Sequence, residues 1–110
     1  MAEKSKEETK RFTEMVARKQ GWELSGEEGF YDDLVTGLAT NWNRYGYFLC
    51  PCRDSEGSRE ADADVVCPCV YAKADIEEHG HCFCALYQSK AFRASGKAPA
   101  GIPERRGSGA

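Results

Sequence analysis

All six cysteines of this sequence fall between residues 50 and 84, as three Cys-X-Cys units: Cys50-Pro51-Cys52, Cys67-Pro68-Cys69 and Cys82-Phe83-Cys84. Fourteen residues separate the first two units and twelve the last two. A disulfide inside one unit would close a small, strained ring, so bonds or metal contacts are expected to run between units. Proline inside two units fixes its own φ, biases the cysteine before it towards extended backbone and removes a donor, which makes stiff presenting loops. Four thiolates are the usual complement of an iron–sulfur cluster or of structural zinc. Two cysteines then remain, and from different units they would sit beside the metal centre. A dithiol next to an electron carrier can convert single electrons into the two-electron reduction of a disulfide. Zinc has no redox chemistry and cannot do this. Spacing alone does not say which four bind.

A chain of 110 residues makes one domain with a modest core, helped by anything covalent or metallic that supplements it. With 41% apolar and 30% charged residues the composition is that of a soluble globule, and no apolar run is long enough to span a membrane. The net charge of −3 argues against general nucleic-acid binding. The charged start of the chain, with no apolar leader, places it in the cytoplasm as an expectation. There cysteines stay reduced and more often bind metal or do redox work than staple a fold.

The elements that must position the cysteines follow in order. Ser5-Lys6-Glu7-Glu8 fits a capping box, and Phe12, Met15 and Val16 at helical spacing, ended by Gly21, predict a helix over about residues 6–20. Ser25-Gly26-Glu27-Glu28 reads as a second capping box. Behind it Tyr31, Leu34, Val35, Leu38, Ala39 and Trp42 give the strongest helical periodicity, predicting a helix over about 27–44 that stops at Gly46. It delivers Tyr47-Phe48-Leu49 to Cys50, a bulky run that would shield a metal site or simply fill the core. The polar stretch 53–64 predicts a short exposed helix from Ser58. One or two helical turns are expected over 73–80, with Asp75 as cap and Gly80 as stop, and then an extended run through Tyr87. From Lys90 onward Lys90, Arg93, Lys97, Arg105 and Arg106 face a single acid, Glu104, in a Gly/Ala/Pro-rich stretch. It reads as a solvated tail, or as a basic rim for an acidic partner. The expected division is one domain over 1–110: a helical cap (1–49), a cluster and disulfide region (50–84) and a mobile tail (95–110).

Leu49-Cys50-Pro51-Cys52-Arg53 and Cys67-Pro68-Cys69-Val70, followed by a third Cys-X-Cys and preceded by a helix ending in glycine, resemble the catalytic subunit of ferredoxin–thioredoxin reductase. The likeness extends to the archaeal and bacterial ferredoxin-dependent disulfide reductases and covers about residues 5–95. It implies a mainly α small domain folded around a 4Fe–4S cluster. Carried over by position, it makes Cys50, Cys67, Cys69 and Cys82 the cluster ligands and Cys52 and Cys84 the redox-active disulfide. It further implies that ferredoxin donates electrons one at a time and that Cys84 is held at the cluster. On the same likeness Cys52 is expected to attack the disulfide of thioredoxin or a similar protein and Cys84 to resolve the mixed disulfide.

Two departures stand out. Phe83 occupies the place of the family's histidine, so His81, or else His79, is the candidate catalytic proton carrier. The first gap is also shorter, and the second longer, than in the family, which implies a remodelled substrate face. No partner sequence is in view, so the expected assembly is a self-sufficient chain or its homodimer, without nucleic acid or membrane. The competing readings are a zinc-binding interaction module and a simple one-electron iron–sulfur carrier.

Overall fold

In the computed structural model, residues 4–51 and 55–102 are described. The elements among them are α1 (Lys6–Gln20), β1 (Glu23–Leu24), α2 (Glu28–Tyr45), a 3-10 turn (Ala63–Val65), α3 (Ala72–His79), β2 (Tyr87–Gln88) and α4 (Lys90–Ser95). Among the described residues the fold is thus mainly helical with one two-stranded sheet. No helix among them is long and apolar enough to cross a membrane.

Helix α1 starts as its sequence dictates. Ser5 Oγ accepts from the Glu8 amide, and Glu8 Oε1 accepts from the Ser5 amide. It ends where Gly21 takes a left-handed φ of 77° that suits glycine. Helix α2 packs against it, tied by the Thr13–Tyr31 hydroxyl pair at 2.7 Å and by Lys6 on Asp32 at 2.5 Å. The apolar stripe of α2 is buried at Leu34, Val35, Leu38 and Ala39, as its period requires.

The second capping box does not form: Glu27 is the N-cap, with no side-chain bond. Ser25 is engaged elsewhere, its amide donating to Leu86 O and its hydroxyl accepting from the Glu27 amide. Helix α3 likewise starts earlier than expected, at Ala72, because the Ala72 amide already donates to Cys69 O. Asp75 therefore lies inside the helix, fully buried, and is not its cap. From Ser58 the chain makes one turn, Asp62 N to Ser58 O, and passes into the 3-10 turn Ala63–Val65, so no exposed α-helix forms there. Beyond β2 the chain is not a plain tail. Ser89 caps the Phe92 amide and starts α4, whose Arg93 donates from Nε to Leu24 O at 3.2 Å. Arg105, Arg106 and the rest of 103–110 lie outside the described residues.

The strand pair sets Leu24 against Tyr87 and Glu23 against Gln88, antiparallel. It closes the chain's two halves over a core of Val16, Leu38, Phe48, Leu49, Val65, Ile76 and Leu86, with cysteines as part of the same cluster. Phe48 lies between Phe12 (4.4 Å between ring centres) and Trp42 (4.8 Å), which fixes the segment that leads into Cys50.

Candidate active site

Backbone pairing brings the first two units together. Leu49 and Val66 form an antiparallel bridge, with the Cys50 amide on Val65 O at 2.9 Å and the Cys67 amide on Phe48 O at 2.7 Å. Helix α2 comes close to the first unit because position 37 is glycine: a Cβ there would lie 3.0 Å from Pro51 Cβ. The stretch between the units is anchored by Asp62, which is fully buried. Its carboxylate accepts from Tyr47 Oη (2.5 Å), Ser55 Oγ (2.8 Å) and the Glu56 amide (2.7 Å). The Asp62 bond is the main cause that raises the Tyr47 phenol above its ordinary pKa.

The third unit is folded back by β2. The Cys82 amide donates to Tyr87 O, and the Tyr87 amide donates to Cys82 Sγ at 3.4 Å. A tight turn puts the Ala85 amide on Cys82 O at 2.8 Å. Cys82 Sγ and Cys84 Sγ are 3.9 Å apart and not bonded to each other, in keeping with the strain a bond within one unit would carry.

Five of the six cysteines thus meet. Cys50, Cys67, Cys69, Cys82 and Cys84 line one pocket with Pro68, Ala72, Phe83 and Tyr87, and all five are buried. Cys52, expected as the nucleophile, lies outside the described residues. Among the described residues no three His, Cys, Asp or Glu side chains are grouped on a single metal ion; the thiols ring a space instead. That space is small, about 10 Å³, the room of about one water molecule.

Burial raises one thiol of the pocket and hydrogen bonding lowers another. Cys67 is pushed well above the ordinary thiol range by loss of solvent, with Cys50, Cys82 and Cys69 adding to the rise and the Tyr87 hydrogen bond opposing it. Cys82 is lowered, first by its hydrogen bond with Cys84, against the pull of burial. Such buried thiols ionise together only with a cation among them, which is the condition under which soft metals are bound.

His81 and His79 are placed differently. His81 is buried, with Nδ1 donating to Cys82 O at 2.7 Å and Nε2 accepting from the Ala100 amide at 3.3 Å, while Phe92 meets it edge-on at 5.2 Å. Both ring nitrogens are therefore occupied by backbone. His79 sits at the end of α3, 3.8 Å from Glu78.

Tyr87 and Asp62 are the residues that sequence reasoning missed. The Tyr87 hydroxyl lies 3.4 Å from Cys67 Sγ, yet in the sequence it is one more aromatic in an apolar run. Asp62 is one acid among several in a polar stretch, with nothing to single it out.

The chain matches the family model described as ferredoxin thioredoxin reductase catalytic beta chain over residues 1–101. It is 33% identical over 88 residues to the chloroplastic ferredoxin-thioredoxin reductase catalytic chain of Arabidopsis thaliana, covering 78% of this chain and 58% of that one. It is 30% identical to the catalytic chains of Porphyra purpurea (74% of this chain, 67% of that one) and Guillardia theta (74% and 78%). The chain thus spans little more than half the length of the Arabidopsis relative.

Proposed function

Because the chain belongs to the ferredoxin thioredoxin reductase catalytic beta chain family, we propose that it is a 4Fe–4S disulfide reductase. It takes electrons one at a time from a ferredoxin and reduces the disulfide of thioredoxin or a similar protein. The observation that carries this is the pocket: thiols from three cysteine units, hydrogen-bonded into one framework, facing a single apolar space.

The donor set fits a cluster. Cys50, Cys67, Cys69 and Cys82 would hold it, four soft sulfur ligands among apolar walls. A bound cluster supplies single electrons, two of which with two protons turn a disulfide into two thiols. The chain's own residues do the exchange. With the Cys52–Cys84 bond reduced, Cys52 as thiolate attacks one sulfur of the substrate disulfide and the other leaves as a thiolate that takes a proton. Cys84 then attacks Cys52 in the mixed disulfide, which restores the Cys52–Cys84 bond and frees the reduced substrate. Cys84 suits the resolving role because it is buried beside Cys82, out of reach of a bulky substrate. His81, with both nitrogens engaged, would orient Cys82, and the proton would come from water.

An anaerobic assay of iron, zinc, acid-labile sulfide and free thiol tests the reading. About four irons and four sulfides with no free thiol are expected; zinc without sulfide would overturn it. Cys52→Ser should keep the cluster and abolish disulfide reduction, and loss of the cluster would mean that Cys52 is a ligand.

A further inference from the structure

One residue reaches two of the proposed ligand sulfurs. The Tyr87 hydroxyl is 3.4 Å from Cys67 Sγ, and the Tyr87 amide donates to Cys82 Sγ at the same distance. The side chain is 1% exposed. Its backbone is fixed by pairing with Leu24 and its ring by Trp22, 5.5 Å away between centres. A buried hydroxyl needs a partner, and a thiolate sulfur can only accept, so with Cys67 ionised the phenol is the donor. A hydrogen bond to a ligand sulfur withdraws charge from it and favours the state holding one more electron.

We propose that, given the cluster assignment above, Tyr87 is a positioning residue that holds Cys67 and Cys82 and raises the potential at which the site accepts an electron. Phenylalanine would fill the same space without that donor, so the hydroxyl is a setting of this chain's electron affinity and not a packing need. A higher potential eases uptake from the electron donor and leaves less driving force for the disulfide.

Tyr87→Phe keeps the ring and removes the donor. On anaerobically purified holoprotein carrying Cys52→Ser, which removes the two-electron disulfide couple, iron and sulfide are measured first. The one-electron midpoint is then titrated optically with mediator dyes, with and without Tyr87→Phe. An unchanged load and a midpoint lower by about tenfold in the electron-transfer equilibrium, about 59 mV for one electron, are expected. An unmoved or higher midpoint at full load overturns the role of Tyr87 and leaves the disulfide-reductase reading standing. A wild-type protein with neither iron nor sulfide overturns that reading, and this one with it. Should Tyr87→Phe not fold, 3-fluorotyrosine incorporated into the Cys52→Ser chain decides. Its more acidic phenol donates more strongly and should raise the midpoint; an unmoved or lowered midpoint overturns the proposal.

Discussion

Raising the pH of the metal-free, reduced protein should destabilise it above about pH 8.5, and Cys67 is the cause. Burial holds its thiol protonated in the fold, far above the ordinary range, while in the unfolded chain it titrates near 8.5. The folded-state pKa is the higher one. Its contribution to stability is therefore complete below about pH 8.5 and is lost as the pH rises, because only the unfolded chain releases the proton. One such group costs about 1.4 kcal/mol per pH unit beyond that point, which integrates to about 2 kcal/mol by pH 10. Unfolding 110 residues carries about 2.1 cal/mol/K each, so the thermal midpoint should fall by about 9 °C. Tyr87, also raised, first by burial and then by Cys67, adds to the fall from about pH 10. Cys82 acts in the opposite sense. Its thiol is lowered, chiefly by Cys84, so its contribution is complete above about pH 8.5 and lost as the pH drops. Stability should peak near pH 8.5. Circular dichroism melts from pH 7 to 10 at constant ionic strength measure this, and a midpoint that holds or rises between 8.5 and 10 refutes the reasoning. Cys67→Ser, with no titrating thiol, should flatten the alkaline limb.

Gly80→Ala should cost about 3 kcal/mol. A left-handed φ of 89° costs an L residue about 1–2 kcal/mol, and the added Cβ would lie 2.5 Å from the Phe92 ring, an overpacking of about 1–3 kcal/mol. Gly46→Ala, at φ 88° with nothing within 4 Å, should cost only the conformational part; equal melts for the two variants would show that the Phe92 contact is not real. His81→Asn keeps a donor near Cys82 O but loses the acceptor for Ala100. Trypsin cleavage after Lys97 should quicken about fivefold for a bond worth about 1 kcal/mol, and an unchanged rate would show that Ala100 is held by other contacts.

That the three cysteine units converge was legible because cysteine spacing is a local signal, and five of the six thiols do line one pocket. The two long helices were legible for the same reason: the α1 capping box and the α2 stripe are written within one or two turns of chain. What escaped depended on partners distant in sequence. Ser25 does not cap α2: its backbone pairs with Leu86, far along the chain, and the helix opens two residues later with Glu27 as N-cap. The β1–β2 pair joins two-residue segments too short to show a period. Helix α4 was hidden by a basic, small-residue composition, although Ser89 is a good N-cap. Asp62 looked solvated, and only the fold brings Tyr47 and Ser55 to it.

The three cysteine units are held by different means, and that difference bears on how the molecule can vary. Cys50 and Cys67 are fixed by main-chain bonds to Val65 and Phe48, which any side chains satisfy. Between them, among the described residues, only the exposed residues 59 to 61 are free to vary in charge, because Asp62 is buried and held by Tyr47, Ser55 and the Glu56 amide. The third unit depends on particular side chains. Cys82 O takes bonds from His81 Nδ1 and the Ala85 amide, and Ala85 holds a left-handed φ of 63°, a strain of about 1–2 kcal/mol for an L residue. Gln88 Nε2 on Ala85 O and Tyr87 on Cys82 Sγ keep that turn closed. Substitutions at residues 59 to 61 should therefore cost the thiol pocket little, whereas Ser55→Ala would take a partner from the buried Asp62. Substitutions from 81 to 88 reach Cys82 and Cys84 directly.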